Sequence, residues 1–212
     1  MASVAFDLFL PEVLMEVDAV PTPVAINAIR NACFDFCRDS HYWQEVQDAE
    51  VYEANTATYE LTAPSGAQIV GVRNCVLDEK KTVYPWALDD IVAAQPAWRT
   101  RTGIIDGFVT LEPHAVTFIA VPEVAGSFVP TVALAPSRTA TTVDARIYNL
   151  HLETIKYGAL WKLKSQAGKP WSDHGGAKEN ESLFLMGVNS ATIERQRTNS
   201  NAVVQVTPRP FL

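Results

Sequence analysis

The spacing of apolar residues changes twice along this chain, and that change restricts its fold more than any other feature. Val24, Ile26, Ala28, Ile29, Ala32, Cys33, Phe36 and Cys37 recur at steps that favour three and four, the spacing that gathers side chains on one side of an α-helix. The same spacing returns over residues 141–166. There Val143, Ile147, Leu150, Thr154, Tyr157 and Trp161 form one seam, and Tyr148, Leu152, Ile155, Ala159 and Leu163 a second. A helix apolar on two sides is either deep inside its fold or wedged against a neighbour. Between the two helical stretches, EVYEANTATYELTAP (50–64), QIVGVRNCVLDEKKTVYPW (68–86), GFVTLE (107–112), VTFIAVPE (116–123) and FVPTVALAPS (128–137) are rich in Val, Ile, Tyr and Thr. Those residues suit a pleated, half-buried surface. PSG (64–66) and DEKK (78–81) supply turns, and LDDIVAAQ (88–95) a short helix or turn. Pro122 and Pro130 are expected at strand ends or edges, because proline has no N–H to give a central ladder. The pattern predicts an α+β chain: a small helical bundle, with helices near 23–39, 142–166 and 177–198, an inserted antiparallel β-region, and extended N- and C-terminal arms.

Local chemistry sets the expected boundaries. Pro11 and Pro21, with Pro23 close behind, make residues 1–21 read as an extended lead-in. Thr22 is placed to cap a helix with Pro23 at its first position. Gly168 is expected to close the long helix, Pro170 to forbid its continuation, and Ser172 or Asp173 to cap the next one. Along that next helix Leu183, Met186, Ser190 and Ile193 share one side. RTNSNA (197–202) is a polar linker, and VVQVTPRPFL (203–212) an apolar tail whose prolines keep it out of a central strand. The expectation is a single domain over 1–212, with lead-in 1–21, helix 22–39, β-rich insert 43–137, helical hairpin 141–198 and C-terminal arm 199–212.

Composition narrows the function. The chain of 212 residues carries a net charge of −7, and no Lys/Arg cluster of the kind that neutralises phosphates. An acidic chain can still surround DNA that slides past without being held. No apolar run approaches the roughly 18–20 residues of a membrane span. The N-terminus lacks a basic region and holds Asp7, Glu12, Glu16 and Asp18, unlike a secretory signal. Cys33 and Cys37 stand one helical turn apart, a poor geometry for a disulfide, and with Cys75 they predict buried thiols in a reducing compartment.

One stretch, KPWSDHGG (169–176), places Ser172, Asp173 and His174 side by side. A triad needs hydroxyl, imidazole and carboxylate converging in a line, which neighbours on one turn rarely achieve. No G-x-S-x-G elbow exposes the serine. Helix capping is the reading adopted for this stretch, with Trp171 anchoring the turn against the strands. His151 and Glu153 form an H-x-E, but the zinc deaminases that share it need a later P-C-x-x-C. His41, His114, His151 and His174 show no ligand spacing, and Gly175–Gly176 is followed by no G-K-[ST]. Asp89 and Asp90 suit an exposed helix start as well as a metal. The five tryptophans and six tyrosines suit core and interface duty. No catalytic residue, cofactor or metal is assigned. Two apolar arms, a two-sided helix and a β-insert point instead to subunit contacts.

Three stretches together carry a resemblance. They are FDLFLPEVLMEVDAVPTPVAINAIRNACFDFC (6–37), VALAPSRTATTV…ETIKYGALWKLKSQAGKPWSD (132–173), and the closing helix with its V-x-V-x-P-R-P-F tail. In this order, from about residue 6 to 211, the chain resembles head-to-tail adaptor (connector) proteins of tailed bacteriophages, although residues 40–130 carry little of the match. The resemblance implies a structural virion protein, made in the host cytoplasm and placed in the phage neck. It implies a ring, usually of twelve copies, between the portal protein above and the tail tube or nozzle protein below, with genomic DNA passing through unbound. It places Gly158, Ala159 and Trp161 in close helix packing, and Lys169, Pro170, Trp171, Ser172 and Asp173 in the interhelical turn. It makes Val203, Val204, Val206, Pro208, Pro210 and Phe211 the arm that reaches a partner. The rival expectations are another neck, tail or baseplate protein, a small hydrolase using the Ser172–Asp173–His174 loop, and a small ligand- or nucleic-acid-binding module.

Overall fold

The computed structural model describes residues 2–197. In chain order it begins with strand β1 (Ser3–Ala5), a 3-10 turn (Phe6–Phe9), and helices α1 (Leu10–Leu14) and α2 (Thr22–Ser40). Strands β2 (Gln44–Val46), β3 (Glu50–Tyr52), β4 (Thr58–Glu60), β5 (Ala67–Leu77) and β6 (Lys81–Val83) follow, then helix α3 (Leu88–Ala94). Strands β7 (Gly107–Val109), β8 (Ala115–Ile119), β9 (Gly126–Pro136) and β10 (Thr142–Asp144) lead into helices α4 (Ala145–Lys164) and α5 (His174–Gln196). The class is α+β, with antiparallel strand pairs in each sheet. By contacts the chain forms two compact units, one from the described parts of Met1–Tyr42 and Thr142–Leu212, the other from Trp43–Thr141.

In the helical unit α4 packs against both α2 and α5. Ile147, His151, Ile155, Gly158, Ala159, Leu160 and Leu163 are its buried residues. The two-sided pattern of α4 is therefore satisfied inside the unit. Leu150, expected on the first seam, is exposed instead. The start of α4 falls later than expected because Thr142–Asp144 pair with β1. Asp144 then caps the helix, accepting a hydrogen bond from the Arg146 N–H at 2.8 Å.

The lead-in is not extended. Phe6, Phe9, Val13 and Val17 are buried, a three-and-four spacing that the prolines obscured. Pro11 sits in the first turn of α1, where its missing N–H costs nothing. Helix α2 likewise starts at Thr22 with Pro21 before it, and its start has no side-chain cap. At the other end α4 stops at Lys164, so Gly168 does not close it. Gly168 has φ +69° and gives the following turn a left-handed residue.

Helix α5 starts at His174, three residues before its expected start, and buries a different side from the expected one. Ala177, Asn180, Phe184, Val188 and Ala191 face inward, whereas Met186 is 65% and Ile193 50% exposed. Both stripes have helical spacing. The larger burial is gained by Phe184, a ring worth roughly 2–3 kcal/mol when fully removed from water.

In the unit of Trp43–Thr141, β9 is central, paired on one side with β5 and on the other with β2 and β3. A second sheet has the order β4-β8-β7. Phe108, Phe118, Phe128, Val132 and Leu134 share one core, where the Phe118 and Phe128 rings meet edge to face at 5.3 Å. Pro130 lies inside β9, contrary to its expected place at an end or edge. Its carbonyl accepts from the Gln47 N–H at 3.0 Å, and a strand residue presents N–H and C=O to the same side. The missing donor thus faces Gln47 at the break between β2 and β3, where the reciprocal bond to the Gln47 carbonyl cannot form, and the ladder to β5 on the other side loses nothing.

Candidate functional site

The turn after α4 uses the polar atoms of the KPWSDHGG stretch for its own closure. The Ser172 hydroxyl accepts from the Lys169 N–H at 3.0 Å and donates to the Gln166 carbonyl. The Asp173 N–H donates to the Lys164 carbonyl at 2.9 Å, and its carboxylate accepts from the Gly176 N–H at 3.1 Å, capping α5. Trp171 is half-buried and donates its indole N–H to Gln166 Oε1 at 3.3 Å. Lys169, Pro170 and His174 are exposed. Ser172 and Asp173 therefore have structural partners, and the loop is the link between two helices.

Close helix contact is built around Gly158. A Cβ there would stand 2.7 Å from the Phe184 ring and 2.9 Å from Ala32 Cβ, so α4 meets α5 on one side and α2 on the other at a point that admits no side chain. Ala159 is fully buried beside it, and the half-buried Trp161 ring lies 6.0 Å from that of Phe184. Sequence reading missed a second such point. A Cβ on Gly187 would collide with the Thr154 side chain. A lone glycine inside a helical pattern was the available signal.

His151 is buried in the helical unit, its ring 4.9 Å from Phe36 and 4.3 Å from Tyr42. It carries the one non-helical backbone conformation inside α4 (φ −128°, ψ 22°). Tyr42 donates to Glu194 Oε1 at 3.4 Å, and His151 Nε2 stands 3.8 Å from Glu194 Oε2. Burial lowers the His151 pKa below its usual 6.5, against the opposing pull of Glu194. Glu153, the other half of the H-x-E, is exposed and leans toward Lys156. Among the described residues, no group of three or more His, Cys, Asp and Glu could hold a metal ion. Cys33, Cys37 and Cys75 are buried and unbridged, and burial pushes all three thiols upward.

A cleft of about 370 Å³ opens beside the β5–β6 turn, between Tyr52, Asp78, Lys81, Ile104 and Val124. Its Asp78, Tyr52 and Lys81 side chains are already paired. Asp78 accepts from the Ser127 N–H at 2.8 Å and from the Tyr52 hydroxyl at 2.9 Å, and these bonds lower its pKa in that order of strength. Lys81 donates to the Ile105 carbonyl at 2.7 Å. Val203, Val204, Val206, Pro208, Pro210 and Phe211 lie outside the described residues. No described helix is long and apolar enough to cross a membrane. No protein-family model matches the chain, and no curated protein matches it.

Proposed function

We propose that this chain is a structural subunit of a phage head-to-tail adaptor, acting as one member of a ring between portal and tail rather than as an enzyme. The observation that carries this reading is the outer side of α5. Met186 and Ile193 repeat at seven residues on the side opposite Phe184 and stay in solvent, although the helix has already buried an apolar stripe. A closed ring uses two different faces per subunit. The second apolar side of α4 is consumed internally, so within the helical unit the outer side of α5 and the exposed Leu8, Met15 and Leu150 are open to neighbours. The order of the three resembling stretches supports the same reading. In it, the helical unit is the bundle of the adaptor, the β-unit is its insert, about twelve copies enclose the DNA without gripping it, and the C-terminal arm reaches a partner.

Quantitative mass spectrometry of purified particles tests this. One copy per portal subunit is the expected result. Absence from the particle overturns the reading, and presence at a different ratio, located away from the portal, assigns the chain to another neck, tail or baseplate position.

A further inference from the structure

The segment Tyr84–Val92 carries four exposed apolar side chains of the β-unit and is tied to β7. Tyr84 is 62% and Trp86 37% exposed, and being two apart in extended chain they share a side. Leu88 and Val92, one turn apart on α3, are exposed as well. The backbone is fixed to β7 by the Phe108 N–H donating to the Tyr84 carbonyl at 3.3 Å and the Trp86 N–H donating to the Phe108 carbonyl at 2.8 Å. The indole lies on Gly107, where a Cβ would come within 2.6 Å of it. Ile91 pins α3 from beneath, in a core with Trp98, Val109 and Ile119. Asp89 and Asp90 stand exposed in the first turn. A fixed surface of exposed aromatic rings beside acidic groups is what binds proline-rich, cationic chain, because such chain is already extended and loses little entropy on docking.

We infer that this surface receives the C-terminal segment Val203–Leu212 of a neighbouring copy. The tail matches it in chemistry: Pro208 and Pro210 flank Arg209, the one charged side chain in residues 198–212. Tyr84 and Trp86 offer exposed rings to prolines, and Asp89 and Asp90 offer carboxylates to an arginine. The fifteen positions from 198 to 212 reach up to about 50 Å when extended. Donation in one direction around a circle is a heterologous contact that closes. The neighbour as donor rests on the ring reading above.

The test titrates the synthetic peptide of residues 198–212 into the full-length chain, with tryptophan fluorescence and calorimetry as readouts. Saturable binding is expected, weakened about tenfold by Trp86→Ala and by Asp89→Lys with Asp90→Lys, a loss of about 1.4 kcal/mol. An Arg209→Glu peptide is expected to bind the Lys-substituted chain better than the wild-type peptide does, which separates recognition from misfolding. No binding, or binding indifferent to Asp89 and Asp90, overturns the inference. Photo-crosslinking from position 211 in a mixture of isotopically light and heavy chains then identifies the donor. Mixed-isotope products are expected, and same-chain products alone overturn the neighbour. Peptide binding in a chain absent from particles would sink the ring and leave the docking surface. Rings without peptide binding would sink the docking surface alone.

Discussion

At Gly158 two opposing effects have known sizes. Alanine in a helix interior is favoured over glycine by about 1 kcal/mol, so Gly158→Ala would stabilise α4 in isolation. In the folded unit the new Cβ meets both Phe184 and Ala32 under 3.0 Å, on two different helices, and overpacking of that kind costs about 1–3 kcal/mol. The clash outweighs the propensity, so Gly158→Ala is expected to lower stability by about 1 kcal/mol net and Gly158→Val by more, read from urea midpoints at constant slope. Gly187→Ala is expected to be destabilising as well, because the three atoms nearest its new Cβ all belong to Thr154 on α4, its own Cβ among them. His151 carries a second expectation. Its folded pKa lies below 6.5, so as pH falls the unfolded chain takes up the proton first. The contribution is complete above about pH 6.5 and is lost as pH drops below it. Melting temperatures between pH 7.5 and 5 should fall for the wild type and less steeply for His151→Phe. Equal slopes would remove His151 as the source.

At the scale of elements, the helices and strands were legible where a residue type acts locally, and illegible where two local patterns competed. A cap at Ser172 or Asp173 could be read from the sequence because it depends on its own neighbourhood. Close packing at Gly158 came only from the resemblance, its contacts lying on α5 and α2. The inward side of α5 could not be read: Leu183–Met186–Ser190–Ile193 and Ala177–Asn180–Phe184–Val188–Ala191 both have helical period, and only the tertiary space opposite Gly158 decides between them. The lead-in was misread because proline counts as a breaker unless it falls in a first turn, as Pro11 does. Pro130 was misread because its tolerance comes from a gap in the partner strand, which is a long-range fact. Within Tyr84–Val92 the sequence singles out Asp89 and Asp90 alone, as a helix start or a metal pair, since an exposed apolar patch becomes visible only once burial is known. The cap offers the element-scale prediction. Asp173→Ala removes the acceptor for the Gly176 N–H and is expected to cost about 1 kcal/mol, whereas His174→Ala, at an exposed position, should leave the midpoint within about 0.5 kcal/mol. A catalytic loop would show the reverse, with both variants stable and both inactive on the substrate of the wild type.

At the scale of the whole molecule, the entry and exit of the β-unit suit an independently folding insert. β2 begins at Gln44, paired with Ala133 of β9, and the Trp43 carbonyl accepts from the Leu134 N–H at 2.8 Å, so the unit's first strand is stitched to its last long one. Its main core is contributed by its own strands and the loops between them. Residues 43–141 expressed alone should therefore unfold cooperatively, with a stability of about 5 kcal/mol; a broad, non-cooperative transition would show that the insert depends on the helices. The tail makes the complementary case. The buried stripe of α5 reaches Ala191, so deleting Val203–Leu212 should leave the melting temperature within about 2 °C of the full chain and, on the adaptor reading proposed above, abolish incorporation into particles. Loss of cooperative melting in the truncated chain would place the tail in the fold itself. Normal incorporation would leave the outer side of α5 to hold the assembly unaided.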